Sequence, residues 1–475
     1  MSDFRIEKDF LGEKQVPKDA YYGVQTLRAI ENFPITGMKL HPTRIVAMAI
    51  VKKAAALANA EIGLLDKDKA NKIADAAQEI IDGKYHEQFL VDPIQGGAGT
   101  SINMNTNEVI ANIALAKAGL EKGDYKAIDP NNDVNMCQST NDTVPTSMLI
   151  ALRILLSELL AVMEDMQAAF AAKAKEFDGV VKMGRTHLQD AVPVRLGQEF
   201  DAYAKVIKRD IERISRTKES LNAVSIGATA VGTGLNAEMA YIEAVIKNLR
   251  KITGFQEIHS AESLVDATQN SDVYTEISGM LNVCMTNMTK ICNDIRMMAS
   301  GPRCGLKEIE LQARQPGSSI MPGKVNPVMP EVVNQVAYQV AGNNLVINLA
   351  SANGQFELNV MHPVMAYNLV QSIEIMTNVF RVFTDVCVKS ITANVEHMKQ
   401  QVENSVGIVT AISPHISYQL SSKIAREAIE TGLSVREICL RDNVLTAEEL
   451  DIILNPFEMT NVGIAGSQLL KNKKQ

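Results

Sequence analysis

At 475 residues the chain is too long for one compact core, so two or three domains are expected. Hydrophobic residues make up 46%, charged residues 21% and aromatics only 5%, with no Trp; this mix suits helix-on-helix packing better than sheets. The 47 basic and 55 acidic residues leave a net charge of −8, and without a long basic run nucleic acid is not an expected partner.

The first residues, MSDFRIEKDFLGEKQ, are charged and lack the apolar run of a signal peptide. Up to about residue 140, short helical patterns alternate with loops at Pro34, Pro42, Pro93 and Pro130, and Gly96, Gly97 and Gly99 mark a glycine-rich loop. From there to about Thr392 the pattern predicts long amphipathic helices over 145–177, 197–224, 264–299, 331–352 and 363–392. In 197–224, Phe200, Ala204, Ile207, Ile211, Ile214 and Leu221 form one stripe. In 264–299, Val273, Ile277, Met280, Cys284, Met288, Ile291, Ile295 and Met298 form another. The latter helix would be roughly 50 Å long.

Five such helices are expected to form an elongated bundle. Stripes wider than one neighbour can cover point to bundles from several subunits packing together. Beyond about Asn394 shorter helices return, broken by Pro414 and Pro456, and the terminal KNKK at Lys471–Lys474 reads as a solvated tail. The expectation is an all-α, three-domain protein with regions 1–140, 141–394 (the bundle) and 395–475. Six scattered cysteines without a CxxC pair, and no uncharged apolar stretch of about 18 residues, point to a reducing cytoplasm and no membrane.

Cofactor motifs fail on inspection. Gly96-Gly97-Ala98-Gly99 lacks the third glycine of a dinucleotide loop. The segment Gly227 to Thr233 has phosphate-loop glycine spacing but Thr where the Lys belongs. The seven histidines form no HExxH and no Cys/His cluster, so no metal is expected, and no GxSxG elbow is present.

The informative segment is GSSIMPGKVNP at 317–327. Bracketing glycines and the prolines Pro316, Pro322 and Pro327 forbid a continuous helix. Two serines, a lysine and an asparagine there suit a closing anion site; the same pattern also fits a plain interhelical connection. Three more loops are rich in hydrogen-bonding groups: GTSINMN (99–105), QSTND (138–142) and GRTHLQD (184–190). Any one of them could be a cap or a turn.

Together with GATAVGTGLN (227–236), these segments resemble those of the fumarase/aspartase superfamily, in order and spacing, over almost the whole chain. Finer details favour its ammonia-releasing branch over its hydratases. Ser139-Thr140 follows Gln138 where fumarases typically show Ser-Ser, Val328-Met329-Pro330-Glu331 replaces Thr-Gln-Cys-Glu, and Ala313-Arg314-Gln315 replaces Glu-Asn-Glu. The resemblance implies a cofactor-free, reversible anti elimination of ammonia from L-aspartate to give fumarate; the alternative is fumarate hydration, as in class II fumarases. A larger substituted aspartate would need polar surface that Gly323 and Val325 do not offer. A catalytically silent scaffold need not keep these groups together.

The resemblance also assigns roles. Ser318, as an oxyanion, takes the Cβ proton and leaves an aci-carboxylate whose charge needs hydrogen-bond donors. Thr100, Ser139, Thr140 and Ser319 would bind the β-carboxylate, and Lys324 and Asn326 the α-carboxylate, with Thr186 between the ends. Asn141 and His187 would lie near the amino group, His187 being paired with Glu331. The superfamily is homotetrameric, with each site shared among three subunits. A serine hydroxyl is a poor base, so loop N–H groups and nearby positive charge must lower its pKa.

Overall fold

The computed structural model describes residues 3–472; Lys473 and Lys474 of the terminal KNKK lie outside the described residues. A hairpin of β1 (Phe4–Asp9) and β2 (Gly12–Pro17) leads into α1 (Val24–Asn32), α2 (Pro42–Glu61), α3 (Lys67–Ile81) and α4 (Thr100–Lys117). After α5 (Thr140–Glu176), β3 (Val181–Thr186) and β4 (Gln189–Arg195) form a second antiparallel hairpin. Then come α6 (Leu196–Thr217), α7 (Met239–Thr253), α8 (Leu264–Gln269), α9 (Asp272–Met298), α10 (Val328–Ala352), α11 (His362–Val386) and shorter helices from Val395 onward. The class is all-α: the described strands form only two-stranded pairings.

The long-helix reading holds with four corrections, one of them that the helix expected over 363–392 ends at Val386. The helix expected over 197–224 ends at Thr217, because Ser220 and Asn222 favour turns, so Leu221 is buried outside the helix. The stretch 264–299 breaks at Asn270, which is extended at φ −96°, ψ 146° and donates its side chain to Asp266 Oδ1 at 2.6 Å. This leaves an α9 of 27 residues, about 40 Å long. The helix expected from Pro145 starts at Thr140. Its apolar half contains an 18-residue window of mean hydropathy 1.8, enough by composition to cross a bilayer, but 72% of that window is buried inside the protein.

The chain divides into two compact units. The first comprises residues 1–161, 211–285 and 337–377. Here α2 packs along α3 and α7, and small residues such as Ala54, Ala55, Ala70, Ala77, Ala111 and Ala114 are fully buried, which lets the helix axes approach. Buried Glu108 on α4 accepts the N–H groups of Gly23, Gln25 and Thr26, supplying the starting turn of α1 with the acceptors it lacks.

The second unit comprises 162–210, 286–336 and 378–475. Phe170, Phe200, Tyr203 and Phe383 pack as tilted and edge-on rings. Met183 on β3 joins a second core with Val402, Ile412, Ile424, Ile438 and Leu450, which anchors the β3–β4 hairpin on the C-terminal helices.

Candidate active site

In the first unit, α4 starts at Thr100 directly after Gly99, whose φ of 98° opens a left-handed turn. A Cβ at Gly99 would lie 2.9 Å from Val144 Cγ1, so only glycine lets the start of α4 come this close to α5. Asn103 fixes the approach, donating to Thr140 Oγ1 at 3.3 Å and Asn135 Oδ1 at 3.1 Å. Two helix N-termini therefore meet, one carrying Thr100 and the other Ser139, Thr140 and Asn141. The positive ends of these two helices, with the Ser139 and Thr140 hydroxyls beside them, suit a carboxylate.

Asp142 organises this corner. Its Oδ1 accepts Ser139 N–H at 3.0 Å, and its Oδ2 accepts Gly227 and Thr229 N–H at 3.1 and 2.9 Å. Asn141 Nδ2 adds a bond to Ala230 O at 2.7 Å. The 227–232 segment, read above as a failed phosphate loop, is thus bound to the first turn of α5. Burial pushes the Asp142 carboxyl up to about 6, against the N–H bonds and the Lys52 ammonium that pull it down.

Lys52, fully buried on α2, donates to Asn135 Oδ1 at 2.8 Å and Gln138 Oε1 at 2.9 Å, and burial lowers it to about 7. Sequence reasoning singled out neither Asp142 nor Lys52. The available signal was a lysine among the buried apolar residues Ala47 to Ala58.

In the second unit, Thr186 and His187 belong to a β-hairpin, where the sequence reading had a loop over 184–190. Thr186 ends β3, and His187-Leu188 form the two-residue turn of the hairpin, both with positive φ (55° and 62°). That geometry normally takes Asn-Gly, so no turn signature was visible, and holding two side chains left-handed costs roughly 1 kcal/mol or more each. Arg185 ties the hairpin to Glu308 at 2.6 Å. Lys182, between Glu199 and Glu308, holds a second close charge pair with Glu308 at 2.9 Å. Glu308 is completely buried and lies in the segment leading toward 317–327. His187 is exposed at the hairpin tip, and within the chain it forms no ion pair with Glu331.

The 317–327 loop is pinched at its neck. Gly317 N–H donates to Lys324 O at 2.7 Å, and Asn326 Nδ2 to Gly317 O at 2.8 Å. A Cβ at Gly317 would sit 2.6 Å from Lys324 O, so the neck requires glycine. Inside the loop, Ser318 Oγ accepts the N–H groups of Ile320 at 3.2 Å and Met321 at 3.0 Å. Two N–H dipoles on one hydroxyl oxygen favour its deprotonated form. Lys324, Asn326 and Glu331 line a cleft of about 860 Å³ together with Arg296 and Lys307, whereas Ser318 and the exposed Ser319 are not part of its wall. Among the described residues no group of three or more His, Cys, Asp or Glu side chains is placed to hold a metal ion.

Residues 12–342 match the family described as Lyase, and residues 408–461 the one described as Fumarase C C-terminus. An aspartate ammonia-lyase of a Bacillus species is 64% identical over 465 residues, covering 98% of this chain and 99% of that protein. The chain belongs to the aspartate ammonia-lyase family of the fumarase/aspartase superfamily. Among solved structures, a fumarate lyase:delta crystallin from Brucella melitensis superposes with a TM-score of 0.94 at 45% identity, covering 96% of this chain and 100% of that one. A class II fumarase from Schistosoma mansoni gives 0.91 at 33% identity, covering 96% and 99%. The hydratase shares the fold at about half the identity of the ammonia-lyase, in line with the sequence details that favoured the ammonia-releasing branch.

Proposed function

We propose that this carbon–nitrogen lyase removes ammonia from L-aspartate to give fumarate, and runs the reaction in reverse, with Ser318 as the base. The observation that carries the mechanism is the pair of N–H groups from Ile320 and Met321 on Ser318 Oγ. The Ser318 alkoxide takes the Cβ proton, and the C–H electron pair moves onto the β-carboxylate as an aci-carboxylate. As that pair returns to form the Cα–Cβ double bond, the Cα–N bond breaks and ammonia leaves.

Donors supply the selectivity for this path. Thr100, Ser139 and Thr140 at the two helix N-termini, with Ser319, receive the growing charge on the β-carboxylate. Lys324 and Asn326 hold the α-carboxylate, with Thr186 between the two ends. Asn141, its Nδ2 engaged by Ala230 O, has its Oδ1 left to accept from the amino group, near which the family resemblance also puts His187.

Within one chain His187 is not paired with Glu331, and the reading therefore includes a homotetramer whose sites join residues of several subunits. An apolar face of α10 supports this: Tyr338, Leu345 and Leu349, at helical spacing, are 65%, 59% and 57% exposed. The three-region division at residues 140 and 394 belongs to the same reading. So does a cytoplasmic location, supported by six cysteines that form no disulfide.

Ammonia release from L-aspartate, assayed beside malate formation from fumarate, tests the reaction; malate formation alone would overturn it. Ser318→Ala should cut kcat by orders of magnitude with the fold retained, whereas Lys324→Ala should raise KM as well as lower kcat. Near-normal kcat in Ser318→Ala would move the base elsewhere, with His187 the first candidate.

A further inference from the structure

The first unit holds a cleft of about 240 Å³ whose lining includes none of the residues assigned to the reaction. Leu40, Ile102, Pro363 and Val370 make its walls apolar, and Arg44, near the start of α2, also lines it. The Arg44 side chain is 4% exposed, and its guanidinium donates to Met148 Sδ at 2.7 Å. Among the described residues no carboxylate pairs with it. Its surroundings supply none either: burial holds Arg44 down to about 10, with the Tyr274 phenol as its charge neighbour. The adjacent His362 ring, edge-on to Tyr274 at 5.6 Å, keeps its Nε2 without a hydrogen bond.

A guanidinium stays charged even when buried, and a buried cation with no counter-ion is strongly unfavourable. An anion entering the cleft removes that penalty, and the positive end of α2 adds to its attraction. At the rim, Glu374 faces His41 Nε2 at 3.4 Å. Lys39 also lines the cleft, so Arg44 and Lys39 against Glu374 leave one net positive charge, which a monoanion balances and a dianion exceeds. The walls then call for a hydrocarbon body.

We propose that this cleft binds a small monocarboxylate, its carboxylate paired with Arg44 and its short chain lying against Leu40, Ile102 and Val370. The dicarboxylates of the proposed reaction do not match this charge and apolar lining, so the site is separate from the catalytic one and does not depend on that reading.

Calorimetric titration of the full-length protein with pentanoate, and with pentanamide as the uncharged control, tests this. Pentanoate should bind saturably, one per chain, and pentanamide roughly tenfold or more weaker. Arg44→Leu should weaken pentanoate to the level of the amide while keeping the melting temperature, because it removes an uncompensated charge. If that variant does not fold, Ala366→Phe, which fills the cleft from its wall and leaves Arg44 in place, should abolish binding.

Absence of saturable pentanoate binding, or binding that survives in these variants, overturns the proposal. Loss of assembly in Arg44→Leu by light scattering, with no pentanoate binding in the wild type, also overturns it and assigns the counter-charge to a second copy of the chain.

Discussion

Replacing Glu308 by Gln tests how the hairpin carrying Thr186 and His187 is held. Glu308 has no exposed surface, faces Arg185 at 2.6 Å and Lys182 at 2.9 Å, and takes a directed hydrogen bond only from Arg185. Lys182 retains Glu199 at 3.0 Å after the change, but Arg185 keeps only a 3.5 Å approach to Met183 O. Removing one partner of a buried pair costs about 3–5 kcal/mol, and the retained Glu199 contact puts this case near the lower end, about 3 kcal/mol. Because Arg185 directly precedes Thr186, its release should also loosen the hairpin tip and lower kcat/KM for aspartate by roughly tenfold or more. Urea unfolding followed by circular dichroism measures the first effect, and steady-state kinetics the second. Combined with Arg185→Met, the two losses should fall short of their sum by about 1–3 kcal/mol. Strict additivity would refute the ion pair as the tie. A full stability loss with unchanged kinetics would refute its role in positioning Thr186 and His187.

Gly317→Ala should break the neck of the 317–327 loop, since its Cβ would lie 2.6 Å from Lys324 O; activity should fall roughly tenfold or more with almost no change in melting temperature, as kinetics and circular dichroism would show. His362 is held at about 4 by burial, helped by the Arg44 charge, against an ordinary 6.5. The unfolded ring protonates first, so the wild type should lose up to about 3 kcal/mol of stability as pH falls from 6.5 toward 4. His362→Leu lacks that loss, so the stability difference between the two proteins should shift in the variant's favour across the window; parallel pH profiles would contradict the shift.

The long helices were legible because burial writes a period into the sequence. Of the eight stripe residues on α9, Ile277, Cys284, Met288, Ile291, Ile295 and Met298 are buried, and Val273 and Met280 are partly so. Boundaries were less legible, because they depend on local competition that periodicity does not record. Leu221 kept the stripe's spacing while Ser220 and Asn222 had already turned the chain. Thr140 starts α5 although Pro145 looked like the first helical residue. The hairpin at 181–195 was missed for a related reason: its turn residues, His187 and Leu188, carry no turn preference, and the tertiary anchors Met183 and Arg185 impose the geometry.

The groups assigned to substrate in the proposed reaction could be named from sequence through the family resemblance of their segments, in which a hydroxyl that can lose a proton, an ammonium and an amide stand at the matching positions. The groups that place them could not, because placement depends on what burial does to a charge. Asp142, Lys52 and Glu308 are ordinary acids and bases in the sequence. In the structure each is buried and faces N–H groups, amides or an opposite charge, which makes its geometry costly to change. Asp142 fixes the start of α5 to the 227–229 segment, and Glu308 fixes the hairpin to the strand of chain approaching Ser318. The Ser318 hydroxyl, the proposed base, lies on an exposed loop whose neck is pinched at Gly317, Lys324 and Asn326. The buried ties of each unit therefore lie at the proposed carboxylate-binding and positioning parts, while the proposed base sits on an exposed loop. That division suits a site whose donors must be in place before the substrate arrives and whose base must close over it afterwards.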